Sequence, residues 1–226
     1  MKCVGILGGM GPEATILLMQ KVMAAVPARD DSDHVPLLVH QNPQVPSRIK
    51  ALIEGGGEDP GPTLAHMARD LASGGAQALA MPCNTAHHYA PAVRAATALP
   101  FLDMVDLTAT HLAGEGARRV GMLASPATRL ANVFAAPFAA RGLEPVFLRD
   151  DAALLAIIRA VKSGRDTATL AAPLRTEAEA LLAQGADHLL VACTELSLMT
   201  NALPDGAPRT DSLDCLTEAI TTFAGG

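Results

Sequence analysis

The chain has no tryptophan, one tyrosine and five phenylalanines in 226 residues, so its core must close through small side chains, alanine above all, instead of large rings. It lacks an excess of positive charge. A formal net charge of −6 and a pI near 5.6 argue against nucleic acid or an anionic membrane surface as the main partner, since neither would be attracted. Its four cysteines, Cys3, Cys83, Cys193 and Cys215, contain no C-x-x-C pair, which argues against a disulfide framework or a zinc site and fits a reducing compartment. No long apolar run is present. The opening "MKCVGILGGMGPEAT" is interrupted by Gly8, Gly9, Gly11 and Pro12 far too early for a signal-peptide core or a membrane span. The expected location is the cytoplasm.

What is present is a chain half hydrophobic and 18% charged, long enough for one domain or two small ones. Short apolar runs alternate with longer segments of helical period, the pattern of an α/β protein with largely parallel sheets. Strands are predicted at 3–7, 36–40, 78–81, 120–123, 145–148 and 188–192. Helices are predicted at 13–25, 62–72, 86–96, 107–113, 128–140, 152–162, 167–183 and 213–223. The Gly-rich "EGGGEDPGP", 54–62, reads as a loop.

The two halves resemble each other. "VGIL" at Val4 is echoed by "VGML" at Val120, and "GGAQALAMPCNT" by "QGADHLLVACTE". Gly75 precedes Cys83 by the same interval as Gly185 precedes Cys193, so in each half a helix ends at a glycine, a strand follows, and a cysteine closes the strand. This predicts two similar α/β domains, 1–100 and 101–207, with residues 208–226 crossing back to the first.

Ligands of open parallel sheets bind beyond the carboxyl ends of the strands, so two facing halves would bring Cys83 and Cys193 to one cleft. Each is followed by helix-start residues, Asn84 and Thr85 or Thr194 and Glu195, which predicts a thiol pKa lowered by nearby backbone N–H groups. Two thiols across a cleft suit inversion at a carbon bearing hydrogen: one removes the proton as the other delivers one to the opposite face. The ordinary reading of a buried cysteine is a small hydrophobe. Cys3 and Cys215 fit it, whereas the repeated placement of Cys83 and Cys193 favours chemistry.

"ILGGMGPEAT", "MPCNTAH", "VACTELSLM", "NPQVPSR" and "EDPGPTL" together resemble the aspartate/glutamate racemase superfamily, most closely its aspartate racemase branch, over nearly the whole chain. The resemblance implies two pseudo-twofold-related α/β domains, a homodimer, and racemisation by two cysteines with no pyridoxal phosphate or other cofactor and no metal. It also implies that Cys83 faces the α-proton of the D-enantiomer and Cys193 that of the L-enantiomer. Arg48 and Lys162 match basic positions that would meet a second carboxylate, where Arg can grip bidentately. Thr128 matches a position that binds the α-carboxylate. Asn84, Thr85 and Thr194 would hold the amino and α-carboxylate groups, with helix capping as their ordinary alternative. Glu195 stands where the glutamate branch has histidine and reads as support for Cys193.

Met10 and the backbone of "GGMGPEAT" are expected at the cleft edge, near a helix N-terminus that could take a carboxylate. The spacing G-x-G-x-x-A there also fits a dinucleotide loop only weakly, because Asp30, Asp31 and Asp33 precede the second strand and Pro12 sits inside the pattern. His87 and His88 point about 100° apart on a helix, so they read as structural and not as a metal pair. Alanine before Cys193, the absence of the usual glycine in "ASPAT", and Ser47 in place of aspartate depart from the family and bear on substrate preference. Both cysteines remain, which favours a racemase over arylmalonate decarboxylases, which use one. The sequence therefore reads as an amino-acid racemase acting on aspartate, with glutamate or a broader range open. A dicarboxylate cis–trans isomerase of the maleate type and a non-catalytic amino-acid-binding module are the alternatives.

Overall fold

The computed structural model describes all 226 residues. In chain order the elements are β1 (Val4–Gly8), α1 (Pro12–Ala25), β2 (Leu37–Gln41), α2 (Gly61–Ser73), β3 (Ala78–Ala80), α3 (Ala90–Ala96), β4 (Phe101–Leu102), α4 (Met104–Gly114), β5 (Arg119–Ala124), α5 (Pro126–Leu130), α6 (Ala135–Ala139), β6 (Glu144–Val146), α7 (Ala152–Lys162), α8 (Ala171–Ala183), β7 (His188–Ala192), β8 (Arg209–Asp211) and α9 (Ser212–Gly225). They form two four-stranded sheets, ordered β2-β1-β3-β4 and β6-β5-β7-β8. Every strand pair is parallel. The fold class is thus the α/β arrangement expected, and the two orders are the same order repeated.

The repetition extends to packing. A Cβ placed on Gly5 of β1 would lie 2.8 Å from Ala76 Cβ and within 3.1 Å of Leu71 and Leu79. One on Gly121 of β5 would lie 3.0 Å from Ala186 Cβ and 3.1 Å from Leu181 and Leu189. The same glycine, alanine and two leucines therefore set the close approach of α2 to β1 and of α8 to β5. Central strands β1 and β7 are buried along their whole length, because helices cover both faces.

The predicted elements hold with several adjustments, among them that the helix expected at 167–183 opens with a 3-10 turn, Thr167–Leu170, before α8. The strands β4 and β8 were too short to carry a periodic signal. β4 pairs with β3, so the first sheet runs past residue 100, and β8 pairs with β7, so the return to the first half begins only at α9. There Leu213, Leu216 and Ile220 pack with Val4, Ile6, Leu18 and Ala80. The helix expected at 128–140 is two short ones. Asn132 adopts a left-handed φ of 55°, and Pro137, lacking an N–H, cannot continue a long helix. The segment after Cys83 is a 3-10 turn, Thr85–Tyr89, before α3 begins. A second such turn, Leu196–Ala202, follows Cys193 and was not foreseen. No helix is long and apolar enough to cross a membrane.

Because overpacking of a tight contact costs about 1–3 kcal/mol, Gly5→Ala and Gly121→Ala should each lower the midpoint of urea unfolding. A midpoint equal to the parent's in either variant would show that these glycines do not set the helix–sheet spacing.

Candidate active site

The residues that follow the inner strands converge. Gly9 after β1, Cys83 after β3, Ser125 after β5 and Cys193 after β7 line one cavity of about 230 Å³, together with Pro43, Val45, Ser47, Arg48, Ile49, Thr85, Ile158, Lys162 and Glu195. Pockets for drug-sized ligands span about 300–1,000 Å³; this one is the size for a small metabolite. Gly9 reaches it with a φ of +93°, and a side chain there would collide with the Asn42 backbone at 2.4 Å. The turn after β1 therefore requires glycine.

Cys193 is 7% exposed and Cys83 8%. The Cys193 thiol donates to Glu195 Oε2 at 3.0 Å, while Glu195 Oε1 is ion-paired with Lys162 Nζ. Burial, then the Glu195 carboxylate beside it, push the Cys193 thiol well above its ordinary range, against a smaller opposite pull from Lys162. This corrects the expected lowering at that sulfur. The backbone N–H groups after Cys193 open a 3-10 turn, and an acidic neighbour outweighs them. A negative charge on Cys83 would also raise Cys193, so the sulfurs feel each other and do not readily ionise together. Burial pulls the Lys162 ammonium down, but Glu195 more than offsets it and the group stays firmly charged; both sulfurs add to that effect.

The loop carrying Cys83 is held by His87. Its Nε2 accepts from the Met104 N–H at 3.1 Å, which places the proton on Nδ1 for donation to the Cys83 carbonyl at 2.8 Å. Burial lowers the His87 pKa and favours this neutral form. His88 is exposed and plays no part, and no group of three or more His, Cys, Asp or Glu side chains is placed to hold a metal.

Of the candidates, Arg48, Thr85, Lys162 and Glu195 line the cavity with the two cysteines. Arg48 is steadied by the carbonyls of Val45 and Pro46, which accept from its Nη1 at 3.2 and 2.9 Å. Met10, Asn84, Thr128 and Thr194 do not line it. Met10 packs into the core with Val45 and Cys83, and Gly9 occupies the lining position instead. Thr128 lies one hydrogen bond behind, 2.7 Å from Thr85 Oγ1. Thr194 Oγ1 donates to the Pro82 carbonyl at 3.4 Å, and Asn84 Nδ2 donates to Ser212 Oγ at 2.9 Å. Neither side chain caps a helix; the Thr194 bond ties one half to the other, and the Asn84 bond reaches the start of α9. Sequence reasoning missed Ser125, which caps α5 and lies 3.2 Å from Thr85 Oγ1 and 3.1 Å from Thr128 Oγ1. Its place before Pro126, a strong helix-start signal, was the available clue.

The arrangement offers two sulfurs, two cations, one carboxylate and the hydroxyls of Thr85 and Ser125, backed by Thr128, around a space for one small molecule. The sequence pattern of the family described as Asp/Glu/Hydantoin racemase matches residues 7–220. The broad specificity amino-acid racemase RacX of Bacillus subtilis is 26% identical over 97% of both chains. The aspartate racemase of Picrophilus torridus superposes with a TM-score of 0.87 at 31% identity, covering 100% of this chain and 95% of that one. An aspartate racemase homologue from Pyrococcus horikoshii, at 23% identity, shares the fold over 100% of both chains with a TM-score of 0.78. With two repeated sheets, a cysteine at the end of each third strand and a matching pattern over nearly its full length, the chain belongs to the Asp/Glu/hydantoin racemase family.

Proposed function

We propose that the protein is an amino-acid racemase that interconverts L- and D-aspartate, or glutamate, by proton transfer between two cysteines and the α-carbon, without a cofactor. The observation that carries this reading is the opening of both sulfurs onto one small cavity from separate halves of the molecule. A carbon between them meets a base on one side and an acid on the other. Cys193, held protonated by Glu195, serves as the acid when Cys83 removes the α-proton. After one turnover the roles are exchanged, and exchange with solvent restores the starting form.

The charges support a dicarboxylic substrate. Arg48 and Lys162 supply two positive charges and Glu195 one negative, so the lining carries a net single positive charge before either thiol ionises. An amino acid with a second carboxylate brings one net negative charge. Lys162 is already paired, which leaves Arg48 for the distal carboxylate. Thr85, with Ser125 and Thr128 behind it, offers hydroxyl donors for the α-carboxylate, where charge accumulates as the α-proton leaves.

Incubation with L-aspartate in D₂O should give α-deuteration with loss of optical activity, and Cys83→Ser or Cys193→Ser should reduce the rate by roughly 10²–10⁴-fold. Racemisation by either variant at the parent rate would exclude the two-thiol reaction, and binding without exchange in the parent would indicate a binding module.

Glu195→Gln removes the carboxylate that holds the Cys193 proton. The acidic limb of kcat against pH, for the enantiomer whose proton faces Cys193, should then move to lower pH. An unmoved limb would mean that Glu195 does not control this thiol.

In the Cys83→Ser protein, whose turnover should be slow enough for binding to be measured, adding Arg48→Ala should weaken L-aspartate by about 10–100-fold in calorimetry, the worth of a charge-assisted hydrogen bond. L-Alanine should bind as before. Equal losses for both would place Arg48 away from the distal carboxylate.

A further inference from the structure

The corner where β8 passes into α9 lies outside the cavity lining, yet hydrogen bonds from it reach the loops of both cysteines. Ser212 Oγ accepts from Asn84 Nδ2 at 2.9 Å, beside Cys83, and donates to the Val191 carbonyl at 3.0 Å, two residues before Cys193. Asp211 Oδ1 accepts from Ser197 Oγ at 2.8 Å, four residues after Cys193, and from the Leu213 N–H at 2.9 Å. Asp211 also stands opposite Val191 in the sheet register. Ser212 is fully buried and Asp211 6% exposed.

We infer that Asp211 and Ser212 are positioning residues that hold the two cysteine-bearing loops at a fixed separation across the cleft. The inference rests on the two-thiol reading and adds to it the device that sets sulfur against sulfur. Each member of the bonded chain Asn84, Ser212, Val191 belongs to a different part of the fold: the loop after β3, the start of α9, and β7. One hydroxyl thus joins both halves at the level of the reacting groups, with the Thr194 bond to the Pro82 carbonyl running beside it.

Asp211 caps α9, but its burial carries a cost. Its Oδ2 is buried with no hydrogen-bond partner, and burial pushes its pKa up to about 6, despite the lowering bonds from Leu213 and Ser197. A charged carboxylate with one orphaned oxygen costs folding free energy near neutral pH. An asparagine would cap α9 through the same Oδ1 without burying a charge. The charge strengthens the hold on the Ser197 hydroxyl, since a hydrogen bond to an ionised acceptor is the stronger kind.

The separation of the thiols decides how a removed proton is replaced. With both sulfurs in register, removal on one face is followed by delivery on the other. If one sulfur drifts, the carbanion persists; the sulfur that removed its protium exchanges S–H for S–D with the solvent D₂O and then returns a deuteron to the same face, so deuterium enters with retention. Ser212→Ala, in the full chain with L-aspartate in D₂O, should therefore raise several-fold the ratio of deuterated L-aspartate to D-aspartate. Its kcat should fall by roughly 10–100-fold, the cost of a displacement near 1 Å, with KM little changed. Ser212→Thr, which keeps the hydroxyl, should restore both values. Ser197→Ala, which cuts only the Cys193 side, should shift the ratio in the same direction, and serves if Ser212→Ala fails to fold.

A ratio equal to the parent's in the folded variants, with both rates lowered together or unchanged, would overturn the positioning role. If the parent neither exchanges nor racemises any amino acid offered, the two-thiol reading fails by itself. The positioning role is then read from bridging of Cys83 to Cys193 by dibromobimane, which needs no turnover. Bridging in the parent that drops in Ser212→Ala relative to single alkylation supports it, and equal bridging in both proteins refutes it.

Discussion

A parallel strand cannot be followed by a tight hairpin; its chain must leave the sheet beyond the carboxyl end and return by a long crossover. In this molecule that constraint acts on two sheets at once. The loops after β1, β3, β5 and β7 all leave toward the same space, and the cavity is what they enclose. Reacting groups placed at those exits come to the cleft without any special loop. The buried Gly5 and Gly121 contacts keep each sheet close to its covering helix, so the exits are held by the core and not by the surface.

Inside the cavity the two halves are no longer alike. The residue two places after Cys83 is Thr85, which joins a neutral group of hydroxyls with Ser125 and Thr128. The residue two places after Cys193 is Glu195, which holds a thiol proton with one oxygen and an ammonium group with the other. The repeated strand order provides two equivalent places for sulfur. A difference at a single offset gives one side a proton acceptor and the other a set of hydroxyls. The two sulfurs therefore stand in unlike surroundings, one beside hydroxyls and one beside a carboxylate paired with an ammonium group.

Much of this was legible in the sequence. The central strands are continuous apolar runs, the helices begin and end at recognisable glycines and caps, and the two cysteine motifs repeat at one interval. α7 lies at 152–162, as its apolar period predicts. The parts that escaped are those where tertiary contacts decide. β4 and β8 are two and three residues long and exist because a neighbour pairs with them. Asn84 and Thr194 carry the side chains of helix caps but spend them across the cleft, on Ser212 and Pro82. Met10 was assigned to the site by motif and is core by packing. The Cys193 pKa went the opposite way because sequence proximity to a helix start says nothing of how deeply the sulfur is buried or which oxygen of Glu195 faces it.

The chain passes between the two sheets at two places, from β4 into α4 and from β8 into α9. Helices α4 and α9, which the chain enters at those passages, pack against each other, so the two crossings lie side by side. The Asp211–Ser212 corner stands at one of them, and the place where the chain leaves the second sheet is therefore also the place where Asn84 and Val191 are tied together.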